Sequence, residues 1–186
     1  MARIFQQTQA KQPARKAPKI ELDIEPKIVE PQSDIVVPGF DKQHPTALAF
    51  YCSDGRFTNG VAEMMKQQGH VRFDTVNLPG GAATLDMTSA TMVEAEATRG
   101  AVSFLIKGHG IKTAYLIAHQ GCGFYGKRFP ATGTERQVKD IQKAAIWLER
   151  NHPGLVVQLM LVSTDDGVLR FKQVPKADPS THHMVM

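Results

Sequence analysis

The chain has 186 residues, 42% of them hydrophobic and 22% charged, with a formal net charge of +4 and two cysteines. This composition suits one compact domain with a sizeable core, and no apolar run approaches the ~18 residues that would cross a bilayer. Two cysteines exclude a disulfide framework and the start carries no secretory leader pattern, so the expected setting is cytoplasmic.

Residues 1–43 read as an arm rather than a domain. Pro13, Pro18, Pro26, Pro31 and Pro38 interrupt any regular element, and Arg3, Lys11, Arg15, Lys16 and Lys19 all precede the first acid, Glu21. Such a segment is a solvated tail or an arm laid on a partner subunit. Clustered cations can also meet phosphates, but the arm has too few aromatics for a base-stacking surface, so nucleic acid is not the expected partner. The folded domain is expected over residues 44–175, with a short polar tail over 176–186 that contains His182 and His183.

From Thr46 the pattern alternates between apolar runs and helical stretches. Thr46–Tyr51 is a buried-strand pattern, followed by a helix over 58–68 that Gly69 stops. Val71–Leu78 gives a second strand, ending at Pro79-Gly80-Gly81. A long helix follows over 89–107, with Met92, Ala95, Val102, Leu105 and Ile106 on its buried side and Gly108 and Gly110 at its end. Lys112–Ala118 is the third strand, 137–150 a helix with Val138, Ile141, Ala145 and Leu148 at helical spacing, and Leu155–Ser163 the fourth strand. Asp166-Gly167 then turns the chain into an antiparallel return over 168–174. The fold class is therefore α/β: a central, mostly parallel sheet of about four strands plus an antiparallel edge strand, with helices on both faces.

In such sheets ligands bind beyond the carboxyl ends of the strands. Cys52 follows the first strand, and His119 and Cys122 follow the third. Two thiolates and an imidazole suit a tetrahedral zinc ion, and three protein ligands leave a fourth position open, as catalytic sites require. Asp54 and Arg56, two residues apart, project with Cys52 if the segment is extended. The guanidinium then fixes a carboxylate that either controls the open position or caps the following helix. Gly121 and Gly123 allow close approach of the backbone. His70 and His109 read as exposed loop histidines. Tyr125, Lys127 and Arg128 line an entrance or form a charged surface loop, and Trp147 belongs to the core or to a subunit interface.

The pair Cys52-x-Asp54-x-Arg56 and His119-x-x-Cys122-Gly123 resembles the motifs of the β-class carbonic anhydrases, and the likeness runs over roughly Ala47–Phe171. The resemblance implies a lyase that reversibly hydrates carbon dioxide to bicarbonate with a zinc-bound hydroxide, one Zn2+ per chain, acting as a homodimer or larger homo-oligomer. It implies Cys52, His119 and Cys122 as metal ligands, Asp54 and Arg56 as catalytic residues, and Gly80, Gly81 and Gly123 as lining for the substrate pocket. Val76-Asn77-Leu78-Pro79-Gly80-Gly81 stands where the family has an Arg-Asn-Ala-Gly segment, and its N-terminal helices are not recognisable in residues 1–43. Alternatives within the same site are a zinc hydrolase of carbonyl sulfide or carbon disulfide, and a catalytically impaired zinc-binding homologue with a regulatory role. A thiol redox protein is the reading that keeps the cysteines and discards the metal.

Overall fold

A computed structural model of the chain describes residues 39–177. The expected arm, apart from residues 39–43, and the tail histidines lie outside the described residues. Contacts divide the chain into residues 1–40 and 41–186, and every element below belongs to the second unit.

Five strands form one sheet: β1 (Ala47–Cys52), β2 (Asp74–Leu78), β3 (Thr113–His119), β4 (Val156–Ser163) and β5 (Arg170–Gln173), in the spatial order β2-β1-β3-β4-β5. The first three pairings in that order are parallel and β4–β5 is antiparallel. This is the expected α/β class. Among the described residues, four helices accompany the sheet: α1 (Thr58–Gln67), α2 (Met92–His109), α3 (Gly123–Arg128) and α4 (Gly133–Asn151).

Strand alternation sorts the side chains into two cores. Leu48, Phe50, Leu116, Val157 and Leu159 face α2 and α4, where Val102, Ile106, Ile141 and Leu148 meet them. Ala49, Tyr51, Tyr115, Ile117 and Val162 face α1 through Phe57, Val61 and Met65. All six residues of β1 are buried, as a central strand covered on both faces requires.

Several boundaries differ from the sequence expectation. The strand expected from Val71 begins at Asp74, and Val71 is 77% exposed. Helix α2 begins after Thr91, whose hydroxyl accepts the Glu94 amide while the Glu94 carboxylate accepts the Thr91 amide. Met92, expected on the buried side, therefore sits in the first turn and is 69% exposed. Gly108 lies inside this helix, and the left-handed Gly110 (φ 70°) ends it. Helix α4 starts at Gly133, four residues before the expected start. Helix α3 and the short 3-10 turns at Gly55–Phe57 and Gly81–Leu85 have no counterpart in the expectation.

Candidate metal centre

Strand order 2-1-3-4 places a topological switch between β1 and β3, because the chain leaves β1 towards β2 and leaves β3 towards β4. The crevice beyond the carboxyl ends of such a strand pair is where open α/β sheets bind ligands. Cys52 is the last residue of β1 and His119 the last of β3, rather than the first residues after them. Cys122 is the residue that caps α3. All three are nearly buried, and their sulfur and nitrogen donors lie within 4.8 Å of one another.

The Cys52 and Cys122 sulfurs are 3.8 Å apart and both cysteines are free thiols. Two sulfurs bound ~2.3 Å from a tetrahedral ion stand about that far apart, whereas a disulfide needs ~2.05 Å. Nδ1 of His119 donates to the Gln120 carbonyl at 2.9 Å, which leaves Nε2 as the bare, basic nitrogen. That Nε2 is buried and makes no hydrogen bond of regular geometry, though His119 lies close enough to the Cys52 thiol to favour its ionised form. A buried imidazole nitrogen without a partner is rare, and beside two thiols it has the chemistry of a metal ligand. The residues fit a zinc ion.

The local fold explains why the donors converge. Gly81 has φ 56°, and a Cβ there would stand 3.0 Å from the Cys52 nitrogen, so the turn after β2 can lie against the end of β1 only as glycine. Amides of Gly80 and Asp54 are directed at the Cys52 sulfur, and those of Tyr125 and Phe124 at the Cys122 sulfur. The Cys122 hydrogen bond, opposed by burial and aided by His119, draws the Cys52 thiol well below the usual thiol range. The same contact and burial push Cys122 up. The pair thus releases one proton easily and holds the second.

Asp54 and Arg56 do come together, but not along an extended segment. Asp54 caps the Gly55–Phe57 turn, its Oδ1 accepting the Arg56 amide at 3.1 Å. Within that turn the guanidinium folds back: Nε donates to Oδ1 at 2.9 Å and Nη2 to Oδ2 at 2.6 Å. Arg56 and its amide hold the carboxyl at a pKa of about 2, so it is ionised at neutral pH. The capping role and the ion pair are thus one arrangement.

Gly80 adopts φ 83° immediately before Gly81, while Gly123 is the exposed first residue of α3. Tyr125 is not part of a surface loop: it is 2% exposed and donates to Asp140 Oδ2 at 2.9 Å. Lys127 stays exposed, and Arg128 bonds Glu94 and the Ser89 carbonyl. His109 ends α2 and is bonded through Nδ1 to Asp74 Oδ2 at 2.7 Å, with His44 stacked on it, so it is not an exposed loop residue. His70 packs edge-on against Tyr115, and Trp147 packs partly buried on the α2/α4 core. Sequence reading missed Gln137, whose buried carboxamide reaches the His119 amide, and Asp140, which is fully buried beneath Tyr125. Both stand four residues before buried members of the core face of α4, Ile141 and Ala144, so helical spacing was the signal that could have found them.

A family model described as "Putative carbonic anhydrase" matches residues 42–171. The chain belongs to this family. The matched span contains the whole Cys-His-Cys cluster and all five strands but the last two residues of β5. Among solved structures, the chain is similar to the β-carbonic anhydrase CafA of Aspergillus fumigatus, with 17% identity, 74% of this chain and 79% of that chain covered, and a TM-score of 0.45. It is also similar to β-carbonic anhydrase isoform I of Trichomonas vaginalis, at 11% identity, 73% and 87% coverage and a TM-score of 0.46. A carbonic anhydrase of Streptococcus mutans gives 13%, 73%, 87% and 0.44. Likeness of this degree concerns the fold alone. No curated protein matches the chain in sequence. Among the described residues, no helix is long and apolar enough to cross a membrane.

Proposed function

We propose that the chain is a carbonic anhydrase that reversibly hydrates carbon dioxide to bicarbonate at a zinc ion held by Cys52, His119 and Cys122. The observation that carries this reading is the buried, unpartnered Nε2 of His119 beside two thiols at the β1/β3 switch point. When bound, zinc lowers the pKa of water from 15.7 to about 7 and so supplies a nucleophile at neutral pH.

The chain's own residues do the rest. The amides of Asp54 and Gly80 at one sulfur, and of Phe124 and Tyr125 at the other, favour the thiolate form that a metal ligand needs. Asp54, ionised and held in the Arg56 fork, accepts a hydrogen bond from the attacking water and so orients it. Arg56 acts through Asp54. With two charge-assisted bonds on the carboxylate, Arg56 would also hold it away from a bound metal's open position. Gly80, Gly81 and Gly123 bring backbone rather than side chain to the pocket wall. Self-association and a cytoplasmic setting complete the proposal, as the family resemblance implies.

Metal analysis combined with stopped-flow carbon dioxide hydration on one preparation tests it. The expected result is about one zinc per chain and rapid hydration that chelation abolishes. Zinc-loaded protein with no hydration between pH 6 and 9 would sink the catalytic part, and turnover of carbonyl sulfide in a parallel assay would move the substrate.

A further inference from the structure

Phe124 stands two residues beyond Cys122 and packs, half-buried, on a small cluster of Cys52, Ala83, Cys122 and Tyr125. Its ring lies on Gly80: a Cβ added there would come within 2.5 Å of ring atom Cδ1 and 2.8 Å of two more ring atoms. Over the ring face lies Arg128, with its guanidinium carbon 4.3 Å from the centroid. That guanidinium is itself tethered, through Nη2 to Glu94 Oε1 at 3.0 Å and through Nη1 to the Ser89 carbonyl at 3.1 Å. The carboxylate it holds is the one engaged in the Thr91 capping box of α2.

The ring thus touches the Gly80 backbone and a braced cation, and it packs on the cluster that contains both cysteines. Movement of the ring away from Arg128 has to break the cation–π contact, and Arg128 is held from following by its two partners. A phenylalanine that only filled surface space would need neither the glycine nor the brace. Half-buried and packed on the cluster of both cysteines, Phe124 stands at the edge of the centre.

We propose that Phe124 is a specificity-determining wall of this centre, positioned by Arg128, which admits water and small linear molecules to the sulfur pair and turns larger ones away. The inference rests on the metal-centre reading and adds the side chain that sets its size limit. It also gives Gly80 a reason to be glycine beyond its positive φ: no other residue leaves room for the ring.

The test compares two neutral thiol reagents, small methyl methanethiosulfonate and bulky 4,4'-dithiodipyridine, on the metal-free full chain. In the wild type the bulky reagent should be the slower by a wide margin. Phe124→Ala should raise the bulky-to-small rate ratio by about tenfold, and Arg128→Gln, which keeps the ring and removes its brace, by about threefold. Phe124→Leu, which restores most of the apolar volume, should return the ratio to near the wild-type value. An unchanged ratio in Phe124→Ala and Arg128→Gln overturns the proposal. So does an equal rise for both reagents, because general loosening of the fold does not discriminate by size. Reagent access is read without metal, so a chain that takes up no zinc would overturn the functional reading while leaving this ratio to be judged separately.

Discussion

The buried side chain of Gln137 on α4 accepts the backbone N–H of His119 through Oε1 at 3.1 Å. β1 pairs with β3 only as far as Tyr51 and Ile117, and the Gln120 amide points the other way, to Val162 on β4. The His119 amide therefore faces the side that β1 has just left, and Gln137 replaces the missing strand. Gln137→Leu leaves a buried N–H without a partner, at a cost of ~1–3 kcal/mol. Urea denaturation should show that loss. Competition with a chelator should also show zinc held roughly tenfold more weakly, because the residue carrying Nε2 is no longer pinned.

Gly81 and Cys52 form the second close approach. Alanine at 81 would put its Cβ 3.0 Å from the Cys52 nitrogen at a backbone with φ 56°. The left-handed conformation alone costs a non-glycine residue roughly 1–2 kcal/mol. Gly81→Ala should lower stability by at least that amount and shift Cys52 away from Cys122. Zinc content after dialysis should fall below that of Gly121→Ala, where an added Cβ has a positive φ but meets nothing within 4 Å.

Arg56→Gln tests the anchoring of Asp54. The variant keeps all three proposed metal ligands and removes the fork on the carboxylate. Zinc content should stay at one per chain while kcat for hydration drops by roughly 10- to 100-fold. Full activity in this variant would show that Asp54 needs no anchor.

Beneath the centre, Asp140 is fully buried and accepts from Ser89 Oγ at 2.6 Å, Tyr125 Oη at 2.9 Å and Arg136 Nε at 3.0 Å. Burial raises its pKa against the pull of these donors. Asp140→Ala strands the donors of two helices and the α2 approach together. We expect a loss near the lower end of ~3–5 kcal/mol, since the Arg136 side chain is 25% exposed and recovers some hydration. Tyr125→Phe, which removes one donor and leaves the ion pair, should cost only ~1 kcal/mol by the same denaturation assay.

Glu94 gives a pH dependence with a definite sign. Arg128, then the Thr91 amide and hydroxyl, hold its carboxyl at about 2, below the ordinary 4.5. A carboxyl depressed on folding contributes stability that is fully present above the unfolded pKa and is lost as pH falls through the folded one. The stability difference between wild type and Glu94→Gln should therefore be constant above about pH 6 and shrink between 4.5 and about 2. Melting temperatures of the two proteins at pH 7 and pH 3 provide the comparison.

The sequence by itself determined the alternation of the five strands with the three long helices and the chemistry of the cluster. Apolar runs separated by helical periods require a parallel sheet, and a parallel sheet brings the carboxyl ends of β1 and β3 to one rim. That rule puts Cys52 and His119, 67 positions apart in the chain, on the same rim; the pairing of β1 with β3 makes them neighbours there. Asp54 and Arg56 were legible for a different reason: neighbours two apart can pair in a strand or in a turn, and the turn was not foreseen.

Only the tertiary structure decided what supports the site. Gln137 and Asp140 share the buried face of α4 with Ile141 and Ala144, but helical spacing does not name the partners that satisfy a polar side chain there, and Tyr125 is buried on a segment whose spacing places nothing. Helix α3 has six residues, too few for an apolar period to announce it. The clamp on Phe124 needs Gly80, Glu94 and Arg128 from three separate segments. Periodicity tells which face of an element is buried; it does not tell which neighbour that face meets, and that pairing fixes the centre's walls.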